Sequence, residues 1–121
     1  MLINLDTGKP ITSVPHKKEF GVWKNRLSDI QYEAIRNNLI ERIQTGKVHT
    51  SSWIPGSDWS NTVFEPIYSV ACCQNQESAA KFFGLILWDV LMQDENSWSF
   101  GRYEKDGIPI QGLTYFRFEG E

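Results

Sequence analysis

Cys72, Cys73, His16 and His49 are residue types that ligate metals or act as nucleophile and base, and their spacing argues against both uses. Zinc sites draw on cysteines a few residues apart, so that both thiolates reach one ion; adjacent cysteines do not converge in that way. The pair precedes an apolar helix, where a free cysteine packs as a small hydrophobe. His49 lies in the polar strand Val48-His49-Thr50-Ser51-Ser52, and His16 opens the charged run His16-Lys17-Lys18, so both are expected to be solvated. No metal and no cofactor is expected. Among the carboxylates, Glu33 and Glu41 fall on the wet side of a helix. Asp89 differs, because it shares an apolar helix with Lys81 and Leu85. An acid buried there is costly unless paired or hydrogen-bonded. It is either a rim position reaching solvent, which the rarity of buried Asp favours, or an anionic floor for a ligand.

Leu5-Asp6-Thr7-Gly8 matches the short signature of dimeric aspartic proteases, in which each subunit contributes one carboxylate to a dyad that shares a proton. Those enzymes place the triplet after earlier strands and cradle it with a later apolar-apolar-Gly turn. Here five residues precede Asp6, and the similar later triplet, Phe82-Phe83-Gly84, falls in a helical pattern. Asp, Thr and Gly ahead of Lys9-Pro10 are also what a tight turn selects, and that is the favoured reading.

The aromatic constellation is the more suggestive one. Trp53 and Trp59 flank the turn Ile54-Pro55-Gly56-Ser57-Asp58, and turns lie at the surface, where large rings are hard to bury. Tryptophan offers contact area with little entropy to lose. With Arg102, Tyr103 and Glu104 near a hairpin tip, these rings would form a patch suited to a peptide or a planar compound. The alternative is that both indoles fold back as a lid on the core.

The elements that position these residues centre on Ser78–Met92, a helix-length run whose only charges are Lys81 and Asp89. At 100° per residue, Ala79, Ala80, Phe82, Phe83, Ile86, Leu87, Val90 and Leu91 fill a broad face expected to meet a sheet. Leu85, Trp88 and Met92 lie opposite and need cover, either from the first helix or from a symmetric copy; a homodimer through these three residues is expected. That first helix begins at Ser28, whose capping box is completed by Gln31, and stops at Gly46, with Tyr32, Ile35, Leu39, Ile40 and Ile43 as its apolar stripe. Short strands are expected at Met1–Leu5 and Ile11–Val14, and extended segments at Phe20–Lys24, Val48–Ile54 and Thr62–Ala71. Asn75 caps the apolar helix. Trp98–Glu104 and Ile108–Phe118 read as a hairpin with a three-residue loop at Lys105-Asp106-Gly107, placing Phe100 opposite Gly112 and Trp98 opposite Thr114. Together these predict one α+β domain over residues 1–121: a mostly antiparallel sheet with two helices, the second (about 76–92) largely buried.

At 121 residues the chain is long enough for one core, and 13% aromatic with 22% charged residues is not a disordered composition. A formal net charge of -3 offers no basic patch, which argues against nucleic acid and against a membrane surface. The apolar run is too short and too charged to span a bilayer. No secretory leader is read in Met1-Leu2-Ile3-Asn4, so a cytoplasmic protein is expected.

Glu65-Pro66-Ile67-Tyr68, the helix through Trp88, Trp98-Ser99-Phe100-Gly101-Arg102-Tyr103 and Gly112-Leu113-Thr114-Tyr115-Phe116 resemble small proteins carried on bacterial mobile gene cassettes. The resemblance covers roughly the second half of the chain and rests on Trp, Gly and aromatic placement. It implies a soluble accessory protein and supplies no site residues. The functional expectation is a non-enzymatic binding or protein-interaction module acting as a homodimer. The alternative is a small-molecule binder with an aromatic pocket between the buried helix and the C-terminal hairpin, and the third reading is the protease using Asp6.

Overall fold

The computed structural model describes residues 1–50, 54, 59–102, 104–109 and 113–117. Within them lie α1 (Lys17–Arg26), α2 (Asp29–Ile43), β1 (Val48–Thr50), a π-helical turn (Ile67–Ala71), α3 (Gln76–Gln93), β2 (Trp98–Gly101), β3 (Glu104–Lys105), β4 (Ile108–Pro109) and β5 (Thr114–Arg117). The class is α+β, but the expectation of two helices undercounts the helical segments.

Phe20–Lys24, expected to be extended, lies inside α1. Phe20, Trp23 and Leu27 recur at helical spacing, and the first two rings pack on Phe82 of α3 at centroid distances of 5.9 and 5.6 Å. Glu19 in the first turn and Lys24 and Arg26 in the last suit the helix dipole. α2 forms as its signals direct. Ser28 Oγ accepts from the Gln31 amide, and Gln31 Oε1 accepts in return from the Ser28 amide. The helix ends at Ile43, ahead of Gly46, and buries Tyr32, Ile35, Leu39 and Ile43; Ile40 falls off this stripe and is exposed.

Thr62–Ala71 is not extended. It winds into the π-helical turn, where the Cys72 amide donates to the Ile67 carbonyl at 3.1 Å, and it buries Phe64 and Ile67. Pro66 misleads here, because its fixed φ suits the first turn of a helix as well as a strand edge. Arg26 Nη1 donates to the Ala71 carbonyl at 2.7 Å, tying this turn to the end of α1.

α3 is capped by Asn75, whose side chain accepts from the Ser78 amide. Its surroundings differ from expectation. The broad face receives other helical segments: Phe82 meets α1, and Phe83 meets Phe64 at 5.3 Å. The sheet comes to the side that carries Trp88, which stacks on Phe100 at 4.8 Å. Periodicity ranks faces by width and does not choose a partner for each.

The larger sheet is antiparallel in the order β1-β5-β2. In place of two N-terminal strands there are single bridges, Leu2 beside Trp98 in parallel and Ile3 opposite Pro10. Phe100 faces Tyr115 and Trp98 faces Arg117, so the expected pairing with Gly112 and Thr114 does not form. At the tip, Lys105 faces Ile108, leaving a two-residue turn in which Asp106 and Gly107 have φ of 56° and 79°. Two left-handed residues make the turn whose twist matches that of the strands. The two-residue turn pairs odd positions with even ones, and that pairing sets Tyr115, rather than Phe116, on the face of Trp98 and Phe100. Ile110, Gly112 and Phe118 lie outside the described residues.

Replacing Ser28 with Ala removes one half of the capping box and should cost about 1 kcal/mol in urea denaturation. Ile86→Ala, at a fully enclosed position of α3, should cost roughly 2 to 5 kcal/mol by the same measurement.

Candidate functional site: a polar cleft among three helices

Residues four apart on a helix share a face, and two such pairs meet where α2 crosses α3. Tyr32 and Arg36 come from α2, Asp89 and Gln93 from α3. Arg36 Nη1 donates to Asp89 Oδ2 at 2.7 Å and its Nη2 to Gln93 Oε1 at 3.2 Å; Gln93 Nε2 donates to Asp89 Oδ1 at 3.0 Å. The three side chains close a ring of hydrogen bonds. With side-chain exposures of 18% for Arg36 and 15% for Asp89, the pair is mostly withdrawn from water. Asp89 is therefore neither a free rim carboxylate nor an uncompensated anionic floor.

Beside this ring opens a polar cleft of ≈ 730 Å³. Lys24 and Asn25 reach it from α1, Asp29 and Glu33 from α2. Tyr32 lines it too and is only 8% exposed, yet its hydroxyl has no hydrogen-bond partner among the described residues. Lys24 Nζ sits 4.8 Å from the centre of the Tyr32 ring. Burial raises the Tyr32 phenol pKa, the Asp89 charge raises it further, and the Arg36 guanidinium, as a hydrogen-bond donor to the ionised phenolate and by its charge, opposes both. Because Arg36 and Asp89 neutralise each other, the formal charges left at the cleft are Lys24 against Asp29 and Glu33.

The residues expected from sequence to form a site are distributed elsewhere. Trp59 is half-buried with its ring 5.9 Å from that of Phe83 on α3. Arg102 and Glu104 are exposed at the hairpin, and Trp53 and Tyr103 lie outside the described residues. The stripe expected to seat a second copy is packed within the chain. Leu85 is 6% exposed, Trp88 stacks on Phe100 and donates from Nε1 to the Ser13 carbonyl at 3.2 Å, and Met92 is half-buried against the core. Cover comes from the N-terminal segment and the sheet, whereas α2 lies on the Asp89 side.

Asp6 is exposed on a turn held by its own amide, which donates to Asn4 Oδ1 at 2.9 Å, and Gly84 lies inside α3. Cys72 is buried, and that burial pushes its thiol up to about 11. Cys73 is exposed, with Arg26 Nη1 3.8 Å from its sulfur. His49 is half-buried rather than solvated, its ring 5.7 Å from that of Trp98.

Sequence reasoning assigned Tyr32 to the core stripe and gave Lys24, Arg36 and Gln93 no role. The available signal was Asp89 itself: an acid on so apolar a helix requires a cation, and a helix expected to pack nearby carries Arg36. Comparison with protein-family models, with curated proteins and with solved structures finds no match to this chain. Among the described residues no helix is long and apolar enough to cross a membrane.

Arg36→Met should cost about 2 kcal/mol by chemical denaturation, because it strands a mostly buried carboxylate. The double variant Arg36→Met/Asp89→Leu should recover most of that loss. Tyr32→Phe should stabilise the fold at pH 7 by roughly 1 to 3 kcal/mol, since it removes a buried hydroxyl that has no partner among the described residues. A second effect emerges in alkali. The folded state holds the Tyr32 proton more tightly than the unfolded state, so this contribution is complete below the ordinary pKa of 10 and is lost as pH rises from there through the raised value of the folded state. Denaturation between about pH 9 and 11 should show a shallower loss for the variant, with a residual slope from Tyr115, whose phenol burial also pushes up.

Proposed function

We propose that the chain is a non-enzymatic binding module whose site is the cleft among α1, α2 and α3, and that it takes a small polar molecule. The observation that carries this reading is the Tyr32 hydroxyl: buried at the cleft without a partner, it carries a desolvation cost of roughly 1 to 3 kcal/mol that a bound acceptor would relieve. The ring of Arg36, Asp89 and Gln93 supports it by holding a polar surface rigid next to that hydroxyl. A cleft of ≈ 730 Å³ is of the size that small-molecule sites occupy.

This reading keeps the small-molecule expectation and moves its place. Between α3 and the sheet, rings meet one another, Trp88 with Phe100 and Phe100 with Tyr115 at 6.2 Å. An accessory role, of the sort that the resemblance to mobile gene-cassette proteins implies, fits a module that binds without transforming its ligand.

Titrating a panel of small polar compounds against isotope-labelled protein should move backbone amide signals of residues 24–36 and 89–93 first. Shifts confined to residues 98–109, or a panel in which no compound moves the cleft signals, would overturn the assignment.

A further inference from the structure

The charges left over at the cleft say what kind of molecule it suits, an inference that rests on the reading above. With Arg36 and Asp89 neutralising each other, Asp29 and Glu33 outnumber Lys24, so the cleft has a negative balance within a chain of net charge -3. That field draws cations and repels anions. The chain also places a cation of its own at the site, the Lys24 ammonium 4.8 Å from the Tyr32 ring centre. Lys24 is exposed and belongs to a long, mobile side chain, so it holds that place weakly. The Tyr32 hydroxyl remains protonated at neutral pH and offers a donor with nothing to accept it among the described residues.

We propose that the cleft selects organic amines carrying a neutral hydrogen-bond acceptor. The ligand ammonium takes the place of Lys24 on the Tyr32 ring, its charge balanced by Asp29 and Glu33, while a hydroxyl or carbonyl of the same molecule accepts from the Tyr32 hydroxyl. Lys24 is thus an internal stand-in for the ligand's cation. This has a consequence that a merely supporting lysine would not have: removing Lys24 should tighten binding, because the ligand no longer competes with it.

Isothermal titration and amide shifts on the full chain, with glucosamine and ethanolamine as probes and glucose and succinate as uncharged and anionic counterparts, test the proposal. Glucosamine should bind and shift residues 24–36 and 89–93, glucose and succinate should not, and Lys24→Met should tighten glucosamine roughly threefold to tenfold. Glu33→Gln should weaken it by a similar factor and flatten its salt dependence. Both substitutions are at exposed positions, and unchanged circular dichroism confirms that they fold. Weaker binding in Lys24→Met, succinate binding as tightly as glucosamine, or shifts scattered over the acidic surface would overturn the amine assignment. If glucose or succinate shifts the cleft and the amines do not, the cleft remains the binding site and only the ligand class falls. If no probe shifts residues 24–36 or 89–93, both fall.

Discussion

A helix that is apolar around nearly its whole circumference cannot rest on one layer, and α3 is such a helix. Phe82, Phe83, Ile86, Leu87, Val90 and Leu91 are each no more than 2% exposed, and Leu85 on the opposite side is 6% exposed. At about 25 cal/mol per Å² of apolar surface removed from water, enclosing that helix on every side is a major favourable term of the fold. The remaining elements are placed accordingly. α1 brings Phe20 and Trp23, the π-helical turn follows the buried Phe64, and the sheet brings Phe100. Three short segments of different kinds do what one large sheet does in a layered fold.

Enclosure creates the polar site as a by-product. Asp89 stands on α3 where α2 must pack, and a carboxylate withdrawn from water there requires a hydrogen-bonded cation. Arg36 and Gln93 supply that compensation and leave Asp89 no free charge to present. Tyr32, one turn before Arg36, is drawn into the same crossing with its ring buried and its hydroxyl unpaired. Packing thus accounts for the ring and the ion pair, whereas the unpaired hydroxyl is the detail that packing alone does not need. The cleft takes its polarity from the positions where the crossing of α1, α2 and α3 leaves the rims of those helices facing one another.

The misread segments share a cause. Phe20–Lys24 and Thr62–Ala71 are short and aromatic or β-branched, a composition that serves a strand or a helical turn equally well until a partner chooses. α1 is chosen by Phe82, and the π-helical turn by the burial of Phe64 and Ile67 together with the bond from Arg26 to Ala71. In the hairpin, the pair Asp106-Gly107 carried the correct two-residue turn signal. Grouping every large ring on one face argued for the longer loop, but the two-residue turn forms, and Phe116 pairs with Ser99 while Tyr115 pairs with Phe100.

The sequence by itself determined the α+β class, the capped start of α2 at Ser28, the capped start of α3 at Asn75 and the burial of α3, because each rests on contacts within a few residues or on apolar character that no arrangement can leave in water. It also singled out Asp89 as an acid that would need a partner if buried, while favouring a rim position that reaches solvent. Only the tertiary structure decided that the partner is Arg36, that helical segments rather than the sheet take the broad face of α3, that Trp88 is covered by Ser13 and Phe100, and that Lys24, Tyr32, Asp29 and Glu33 meet at one cleft. Those outcomes depend on how α1, α2 and α3 cross, and a crossing angle is set by the joint packing of many side chains from distant parts of the chain, which no local pattern encodes.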